Sequence, residues 1–544
     1  MGGDASGGSL LDHHHAVVSG WLVDAEAEVA VQPLFENQHV LILGLGASGL
    51  AMARWCARNG ARVTVADTRS APPQLPALQS EVPSARFVSG ALDAALLEGL
   101  EVHRVFKSPG LSPDAVAPLY SAAAQRGLRV AGELDLFSQA LAALKTQRAY
   151  APAVLAVTGT NGKTTVTSLT GQLVERSGKT VAVAGNIGPT LLDTLAQHLD
   201  QDSLPEVWVI ELSSFQLDGV EDFEPLAAVV LNVTQDHLDW HGDMASYAAA
   251  KARVFGKQTL MLLNREDPVV MGMLSDASPA PGAPASRGRA SRPQPRAHIT
   301  FGADMPQRPG DYGIEQVNGM AWLVRALEAD ETLKKKRDQE EELHFQRLMP
   351  ADALRIRGRH NAVNALAALA LCGAAGCALG PVLYGLREYR GEPHRVESLG
   401  MLNEVEFFDD SKGTNVGATV AALNGLGAER KVVVILGGDG KGQDFDPLAG
   451  PVSRHARAVV LIGRDASRIG AALAQCGVSL IDAPSMAQAV AQANRVAHAG
   501  DAVLMSPACA SFDMFDNYEH RARAFRDAVA ELANAAGVQW EGAA

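Results

Sequence analysis

Buried-strand patterns and helical patterns alternate along most of the chain. Continuous apolar runs occur in HVLILGLG (39–46), VLAVTG (154–159) and KVVVILGG (431–438), and a stretch with helical spacing follows each run. This alternation is typical of α/β folds with parallel sheets. Three such sets follow one another, so the sequence predicts three consecutive α/β domains with mostly parallel sheets.

Interruptions in the alternation give the expected domain boundaries. The predicted units are an extra N-terminal segment at 1–36 and domains at 37–149, 150–391 and 392–544. Two stretches of the middle domain break its pattern: a Pro/Ala/Arg-rich one at 275–297 and a basic block followed by an acidic one at 333–343. The first is predicted to be a mobile insertion and the second a solvated surface stretch.

Composition and charge narrow the classes of function. The 544 residues are 47% apolar, and 47 basic against 61 acidic side chains give a net charge of −14. A phosphate backbone repels such a chain on average, so no nucleic-acid partner is expected. Five scattered cysteines, no long apolar run and no basic–apolar leader predict a cytoplasmic protein without membrane insertion.

A glycine-rich turn, GLGASG (44–49), follows the first strand pattern. In such a turn the N–H groups at a helix start bind anionic oxygens, and Asp67 lies where a dinucleotide-binding fold places its ribose-binding acid. The motif alone leaves three interpretations open. They are an NAD-dependent oxidoreductase, a site for a UDP-sugar diphosphate, and a tight turn without a ligand.

A second phosphate-binding pattern, TGTNGKTT, spans 158–165. Its two glycines let the loop wrap around phosphates, Lys163 supplies positive charge, and Thr164 or Thr165 supplies a hydroxyl for Mg²⁺. The most common form of this loop has a glycine where this chain has Val157. The strand pattern before the loop and the helical pattern after it still favour an ATP site.

Polar side chains cluster at the ends of two later strand patterns. Glu211 ends VWVIE, and LNVTQDHLDWHG (231–242) places Asp236 and His237 just after the next strand. Open α/β sheets bind ligands at the carboxyl ends of their strands. Glu211 is therefore a candidate ligand for the Mg²⁺ of ATP, and His237 for a second metal ion.

Ten motifs occur in the order in which the Mur ligase family carries them, over residues 38 to about 535. They are TGTNGKTT, GNIG, ELSSFQL, NVTQDHLDWHG, YAAAKARVF, GRHNAVNALAA, EPHRVE, DDSKGTN, LGGDGKG and SPACASFDMFDNYEHRARAF. The chain resembles that family, and TGTNGKTT is the family's own form of the phosphate loop. The resemblance implies a Rossmann-like UDP-binding domain, a central P-loop ATPase-like domain and a Rossmann-like C-terminal amino-acid domain.

Within the family, the first and third domains resemble those of the branch that adds D-glutamate. GLGASG, DTR (67–69), SPG (108–110) and SPACASFD carry this resemblance. It implies an ATP-dependent amide ligase that extends UDP-N-acetylmuramoyl-L-alanine with D-glutamate through an acyl phosphate, in peptidoglycan precursor synthesis. A member that adds a different amino acid stays open, and a monomer is expected.

The resemblance also implies the residues at the ATP end. Lys163, His237, Lys251 and Arg395 would be the catalytic side chains. Thr164 and Glu211 would hold one Mg²⁺. His237 and Lys251 would hold a second, once CO₂ has converted the lysine amine into an anionic carbamate. The implied ATP-binding set is Gly159, Thr160, Asn161, Gly162, Lys163, Thr164, Thr165, Asn361, Asn364, His394, Arg395, Asp410 and Lys412.

Two further sets follow from the resemblance. The UDP-substrate set is Gly46, Ala47, Ser48, Thr68, Arg69, Ser108, Asn186 and His237. The amino-acid set is Thr414, Lys441, Ser511 and Tyr518, the last at a position where the family often has Phe. Ligands shared across domain junctions imply that the domains close before chemistry.

Overall fold

The computed structural model describes residues 33–99, 101–276, 296–329, 343–428 and 430–538. Within these residues the strands form three sheets that follow one another along the chain, and most neighbouring strands are parallel. The predicted α/β class is therefore confirmed. The predictions for 1–36, 275–297 and 333–343 fall almost entirely outside the described residues. No helix in the described part of the chain has the length and apolar character needed to cross a bilayer.

The first sheet consists of five parallel strands. The elements of this unit are β1 (His39–Leu43), α1 (Ala47–Arg58), β2 (Arg62–Asp67), α2 (Leu75–Glu81), β3 (Arg86–Ser89), β4 (Arg104–Lys107), α3 (Pro113–Gln125), β5 (Val130–Ala131) and α4 (Glu133–Arg148). The strand order is β3-β2-β1-β4-β5. Val40 and Ile42 of β1 pack into one apolar cluster and Leu41 and Leu43 into another. Both faces of the central strand are thus covered, which explains its unbroken apolar run.

The middle sheet is the largest, with nine strands. The elements of this unit are β6 (Ala153–Thr158), α5 (Lys163–Arg176), β7 (Val181–Gly185), α6 (Leu191–Asp200), β8 (Val207–Glu211), α7 (Ser214–Leu217), β9 (Ala227–Val230), α8 (Leu238–His241), α9 (Met244–Ala252), β10 (Leu260–Asn264), α10 (Pro268–Asp276), β11 (His298–Phe301), β12 (Tyr312–Val317), β13 (Met320–Glu328), β14 (Leu343–Pro350), α11 (Arg359–Ala374) and α12 (Leu379–Glu388). The strand order is β14-β13-β12-β11-β10-β9-β6-β8-β7.

The last three strands of that sheet are antiparallel to one another and are absent from the sequence patterns above. β12 pairs with β13, and β13 with β14, in antiparallel register. These strands are only partly buried along their length, unlike the continuous apolar runs of the parallel strands. The turn between β12 and β13 is Asn318-Gly319, and both residues have positive φ, 50° and 82°. An Asn-Gly pair is a hairpin-turn signal that the sequence does contain.

The third sheet has six strands and one antiparallel edge. The elements of this unit are β15 (Glu397–Leu402), β16 (Val405–Asp409), α13 (Val416–Gly427), β17 (Val432–Gly437), α14 (Ala449–His455), β18 (Ala456–Ile462), α15 (Ala466–Leu473), β19 (Ser479–Asp482), α16 (Met486–Val496), β20 (Ala502–Met505) and α17 (Tyr518–Ala535). The strand order is β15-β16-β20-β17-β18-β19, and only the β15–β16 pair is antiparallel among these.

The middle and third sheets point the carboxyl ends of their strands into one cleft. Asn161 follows β6, Asn232 follows β9 and Asp410 follows β16, and all three line this cleft. Parallel α/β sheets bind ligands at such strand ends. The fold therefore places the candidate site between the two units.

Candidate active site

The phosphate loop joins β6 to α5 and needs both of its glycines. Gly159 has φ 151°, and a Cβ there would lie 3.0 Å from the Leu231 side chain. Gly162 has φ 83°, in the left-handed region that L side chains rarely adopt. Val157 is still part of β6 and pairs with Glu211 of β8. The loop thus starts after the position where the common pattern has its first glycine.

The Lys163 side chain folds back into the phosphate loop. Its ammonium donates to the backbone oxygens of Gly159 (2.9 Å) and Thr160 (2.8 Å). Burial lowers the pKa of Lys163, and the Glu211 carboxylate opposes that effect. The ammonium therefore lies inside the phosphate loop, held by two of its backbone carbonyls.

Asn232 holds the loop against the end of β9. Its side-chain oxygen accepts from the backbone N–H of Asn161 (2.8 Å), and its amide nitrogen donates to the Asn161 carbonyl (3.0 Å). Thr160 adds a second tie, because its hydroxyl donates to the Thr234 carbonyl at 3.1 Å. These contacts fix the loop's shape independently of any ligand.

Glu211 provides a buried carboxylate at the end of β8. One of its oxygens accepts from the Asn186 side chain at 2.7 Å. The other oxygen, Oε2, is buried and has no hydrogen-bond partner among the described residues. A buried carboxylate oxygen without a partner is costly unless a cation or a donor satisfies it. Glu211 is therefore suited to hold a metal ion beside the phosphate loop.

Lys251 lies on α9 and is almost completely buried, with 1% of its surface exposed. Its ammonium donates to the Gly159 carbonyl at 2.9 Å and lies 4.5 Å from the centre of the Tyr247 ring. Burial, together with the charge of Lys163, holds the pKa of Lys251 well below its usual value. A buried amine of this kind is present in its neutral, nucleophilic form at far lower pH than a surface lysine.

His237 directly precedes α8 and has a left-handed backbone conformation, φ 54°. The ring packs 4.7 Å from that of Phe215, centre to centre. Burial lowers the pKa of His237, and the neighbouring Asp236 opposes the shift. The neutral ring nitrogen is the form that binds metal ions.

The third unit reaches the phosphate loop through two contacts. Arg395 donates to the Thr164 hydroxyl at 2.6 Å. Asn415 exchanges amide hydrogen bonds with Asn161 at 3.1 and 3.3 Å, and also donates to Asp236 at 3.3 Å. Eight residues of the implied ATP set line the resulting cleft: Asn161, Gly162, Thr165, Asn361, Asn364, Arg395, Asp410 and Lys412.

The backbone on either side of Arg395 is anchored to the third unit. His394 and Val396 both have positive φ, 64° and 49°. For Val396 this conformation is unusual, because its side chain is β-branched. The His394 ring bonds to Asp409 at 2.7 Å, and the Val396 N–H donates to Asp410 at 3.2 Å. Arg395 is thus carried by the third unit, although its guanidinium contacts the second.

One cluster near this segment has the composition of a metal site. His394, Glu397 and Asp409 bring ligand-type atoms within 4.8 Å of one another. Arg526 donates to both carboxylates of the cluster. Its guanidinium already supplies the positive charge, so the cluster is an ion-pair network. The His394 ring is therefore held by the carboxylates of the third unit, next to Arg395 in the chain.

The amino-acid set is distributed over three strand-to-helix loops of the third unit. Asp439 and Ala510 form a two-way backbone bridge (3.0 and 2.8 Å), which ties the loop of Lys441 to that of Ser511. Lys441 is exposed with φ 50°, and Ser511 is buried. After burial, which is the largest cause, the positive charge of Lys441 also contributes to the lowered pKa of His237 in the middle unit. Thr414 follows β16, in the same loop as Lys412.

Tyr518 begins α17 and lies on the ATP side of this region. The Lys412 ammonium is 3.7 Å from the centre of its ring, and the His394 ring is 6.0 Å away, centre to centre. Both neighbours belong to the implied ATP set. The contacts of Tyr518 therefore connect the two sets of residues.

The UDP-substrate set is divided between two units. Gly46, Ala47 and Ser48 start α1, Thr68 and Arg69 follow β2, and Ser108 follows β4, whereas Asn186 and His237 belong to the middle unit. A Cβ at Gly49 would lie 2.0 Å from the Gly44 carbonyl, so the tight turn itself requires that glycine. The first-unit residues meet at the carboxyl edge of the first sheet, where a diphosphate could reach the start of α1.

Asp67 is fully occupied by protein groups. One of its oxygens accepts from Arg69 N (2.9 Å) and Nε (2.8 Å), and the other accepts from Leu45 N (2.7 Å) and Arg69 Nη2 (2.8 Å). The Arg69 guanidinium holds the pKa of Asp67 far below its usual value. A dinucleotide site needs this carboxylate for the ribose. The arrangement therefore argues against the NAD-dependent interpretation.

Several side chains of the site have no role in the sequence-based predictions. Asn232 and Asn415 hold the phosphate loop, His360 lines the cleft, and Tyr247 lies under Lys251. For Tyr247 a signal was available, because it precedes Lys251 by one helical turn and so shares its face. Asn415 caps α13 through its side chain. Its second contact, with a residue 254 positions away, has no sequence signal.

Comparison with known families identifies the class of protein that this fold and site define. Three family descriptions match successive parts of the chain. They are "Mur ligase MurD-like, N-terminal domain" at 38–132, "Mur ligase middle domain" at 157–372 and "Mur ligase, glutamate ligase domain" at 394–509. The chain belongs to the Mur ligase family.

Individual relatives agree with this assignment. A protein of Albidiferax ferrireducens named UDP-N-acetylmuramoylalanine–D-glutamate ligase is 74% identical over 94% of this chain and 99% of its own. Proteins of the same name from Polaromonas sp. and Ralstonia nicotianae are 59% and 56% identical, each over 92% of this chain and at least 98% of their own. The crystal structure of MurF ligase from Thermotoga maritima in complex with ADP shares the fold, with a TM-score of 0.52 and 14% identity over 93% of this chain and all of its own.

Proposed function

We propose that the protein joins D-glutamate to UDP-N-acetylmuramoyl-L-alanine in an ATP-dependent reaction of peptidoglycan precursor synthesis. Relatives that carry this activity in their names match nearly the whole chain. The structural observation that carries the proposal is the meeting of two units at one phosphate loop. Lys163 lies inside the loop, and Arg395 reaches it from the third unit.

The chemistry explains why an ATP loop and an amino-acid unit share a cleft. A carboxylate is too poor an electrophile for an amine to attack near neutral pH. Transfer of the ATP γ-phosphoryl group to the carboxylate gives an acyl phosphate, and ADP leaves. The amine of D-glutamate attacks that carbonyl carbon, and inorganic phosphate leaves as the amide forms. Catalysis then consists of positioning and of stabilising negative charge.

Two cationic side chains would stabilise this negative charge. Lys163, held by two loop carbonyls, would exchange them for phosphate oxygens when ATP binds. The planar guanidinium of Arg395 can bridge the phosphoryl group and the substrate carboxylate with paired hydrogen bonds. Asn361, Asn364, Asp410 and Lys412 also line the cleft, where the nucleoside would lie.

The residues around the loop fit two Mg²⁺ ions. Glu211 presents a buried oxygen without a protein partner, His237 has a lowered pKa that favours a free nitrogen, and Thr164 offers a hydroxyl. Thr164 and Glu211 would hold one ion, and His237 with modified Lys251 the other. Bound Mg²⁺ would neutralise the phosphate and carboxylate oxygens as they approach each other.

Lys251 would join this set only as a carbamate. An ammonium cannot bind Mg²⁺, but the lowered pKa of Lys251 favours its neutral amine. The amine nitrogen attacks the carbon of CO₂, forms an N–C bond and releases a proton. The product is an anionic oxygen donor of the kind that Mg²⁺ prefers.

The two other substrates would lie on either side of this centre. The diphosphate of the UDP substrate would bind at Gly46, Ala47 and Ser48, with its uracil towards Thr68, Arg69 and Ser108. Asn186 and His237 would contact its muramoyl-alanine end. D-Glutamate would bind in the loops of Thr414, Lys441 and Ser511, with Tyr518 at their border. The protein would act as a cytoplasmic monomer on these small molecules.

A phosphate-release assay tests the proposal directly. The purified chain is supplied with ATP, Mg²⁺ and UDP-N-acetylmuramoyl-L-alanine, together with D-glutamate, L-glutamate, L-lysine or meso-diaminopimelate in turn. Of the four amino acids, we expect only D-glutamate to cause phosphate release by the wild type. The Lys163→Ala variant should release no phosphate. Lys257 is an exposed lysine, so the control variant Lys257→Ala should behave as wild type. Release with another amino acid of the panel would assign a different family member. A change in NADH fluorescence on addition of the protein would show that NADH binds and would favour the oxidoreductase interpretation.

A further inference from the structure

The C-terminal end of α11 brings two cysteines together. The helix ends at Ala374, and Gly376 follows it in the left-handed conformation, φ 69°. The Gly376 N–H donates to the Gly373 carbonyl and the Cys377 N–H to the Cys372 carbonyl, both at 3.0 Å. This pair of bonds defines a Schellman motif, which places the side chains of its first and last residues in contact. In most helices these two positions are hydrophobic, whereas here both are thiols.

The two thiols differ in exposure and in proton affinity. Cys372 is 1% exposed, and Cys377 is half-buried. A hydrogen bond from Cys372, supported by the nearby charge of Lys179, lowers the pKa of Cys377 to about 6 although burial opposes this. The pKa of Cys372 is raised by the same hydrogen bond and by burial. The pair thus consists of an accessible sulfur and a buried one that stays protonated.

The other three cysteines of the chain lack these properties. Cys56 and Cys509 are buried, and burial raises the pKa of each to about 12. Cys476 is half-buried like Cys377, but burial raises its pKa too. Its sulfur donates to the Ala449 carbonyl at 3.4 Å. Cys476 is therefore a natural comparison for Cys377, with similar access and without a neighbouring thiol.

We propose that Cys372 and Cys377 form a redox-active dithiol, in which Cys377 reacts with a hydroperoxide and Cys372 resolves the product into an intramolecular disulfide. The Cys377 thiolate attacks the O–O bond of hydrogen peroxide, which gives a sulfenic acid and hydroxide. The Cys372 sulfur then attacks the sulfenic sulfur. The thiol proton of Cys372 leaves with the sulfenic hydroxyl as water. The hydroxide from the first step takes up the proton that Cys377 lost on ionisation. Overall, two thiols and one hydrogen peroxide become one disulfide and two waters.

The position of the pair separates it from the catalytic machinery. The pair lies at the end of α11, whose opposite end carries Asn361 and Asn364 in the ATP cleft. The backbone hydrogen bond between the two cysteines keeps their Cα atoms near each other, as a disulfide requires. Oxidation is therefore compatible with the fold, and activity is not needed to detect it.

Two measurements on the reduced full chain test the proposal. A short pulse of limiting iodoacetamide at pH 7, followed by peptide mass spectrometry, should label Cys377 at least about tenfold faster than Cys476. In a separate sample, stoichiometric hydrogen peroxide should lower the intact mass by two hydrogens and protect both Cys372 and Cys377 from alkylation after the chain is denatured. The reductant dithiothreitol should reverse both changes.

Variants separate the roles of the two sulfurs. Cys377→Ser should show no mass loss, Cys476→Ser should behave as wild type, and Cys372→Ala should stop at a sulfenic acid that dimedone traps. Cys372→Ser offers the same test if the alanine variant does not fold. Preferential labelling of Cys476 would overturn the proposal. So would direct oxidation of Cys377 to a sulfinic acid in the wild type while Cys372 stays alkylatable.

Discussion

The guanidinium of Arg395 and the hydroxyl of Thr164 lie 2.6 Å apart, although the two residues belong to different units. Thr164 is the second residue of α5, directly after the phosphate loop. Arg395→Lys should therefore lower kcat by roughly 100-fold or more, about 2.7 kcal/mol, and raise the KM for ATP far less. A lysine keeps the charge but lacks the planar fork that can bridge two oxyanions.

Steady-state kinetics of Arg395→Lys and of Arg387→Lys, an exposed arginine on α12, measure this effect. The control should keep wild-type kcat. If both variants lose activity equally, or if Arg395→Lys raises only the KM for ATP, the guanidinium does not act in the transition state.

The second prediction concerns the strained backbone at Val396, next to Arg395. Val396 has φ 49°, which glycine adopts freely and a β-branched residue does not. Val396→Gly should leave Tm close to wild type, because relief of strain offsets the greater freedom of glycine in the unfolded chain. It should lower kcat by about tenfold, because Arg395 is then less firmly positioned.

The matched control for this change is Asn403→Gly. Asn403 also has positive φ, 50°, and lies in the turn between β15 and β16. We expect this variant to keep full activity. Wild-type kcat in Val396→Gly would show that the strain at this position does not serve the placement of Arg395.

The fold could be predicted where burial alone determines the pattern. β1, β6 and β17 are covered on both faces and appear in the sequence as unbroken apolar runs. β13 and β14 lie at an edge of the middle sheet, so only part of each strand is buried and the pattern weakens. Such edge strands are specified by their pairing partners, which a local pattern does not contain.

The site could be predicted where one loop supplies the chemistry. TGTNGKTT contains its glycines, its lysine and its hydroxyls within eight positions, so the phosphate loop needs no tertiary information. The burial of Lys251 is different, because it depends on Gly159, 92 positions away, and on a packed ring. By sequence alone, Lys251 is an ordinary helix lysine, and only the resemblance singled it out.

The proposed carbamate on Lys251 predicts a chemical rescue. Lys251→Ala should reduce ligation by at least about 100-fold, because one anionic ligand of the proposed metal site is lost. Short-chain carboxylic acids such as acetate should restore part of the activity, since they can enter the vacated space and supply an oxygen. Lys251→Arg should not respond in the same way, because its guanidinium keeps positive charge there.

The rescue is measured as phosphate release against carboxylate concentration, with Lys257→Ala as the control. Acetate should leave the control unchanged. Undiminished activity of Lys251→Ala in CO₂-depleted buffer would falsify the carbamate role.

The next prediction concerns the buried carboxyl of Asp410 and the pH dependence of stability. Burial raises the pKa of Asp410 to about 7, although hydrogen bonds from Ser506 and Val396 oppose the shift. Because the folded state holds this proton more tightly than the unfolded chain, the contribution of Asp410 is fully present below about pH 4. It is lost as pH rises towards 7. Asp410→Asn removes this dependence.

Thermal melts of wild type and Asp410→Asn between pH 4 and pH 8 check this sign. The Tm of the variant relative to wild type should increase by several degrees across this range. A difference in Tm that stays constant, or that changes in the opposite direction, would mean that Asp410 is ionised in the folded state throughout.

The last prediction concerns the choice of amino acid. Lys441 is exposed, and the Asp439–Ala510 bridge ties its loop to that of the buried Ser511. In the proposed function, one cation and one hydroxyl of these loops bind the same amino acid. Thr414 adds a second hydroxyl from a neighbouring loop. This set suits the two carboxylates of glutamate and offers no anion to the distal ammonium of lysine.

Lys441→Gln should therefore raise the KM for D-glutamate by about 10- to 100-fold and that for ATP by much less. Glutamine keeps much of the length of the side chain and removes its charge, so the loss reports the ion pair. Pinning both carboxylates also fixes the direction of the amine, so L-glutamate should remain inactive in the wild type. Equal increases in both KM values, or efficient addition of L-lysine by the wild type, would place the distal carboxylate of the amino acid elsewhere.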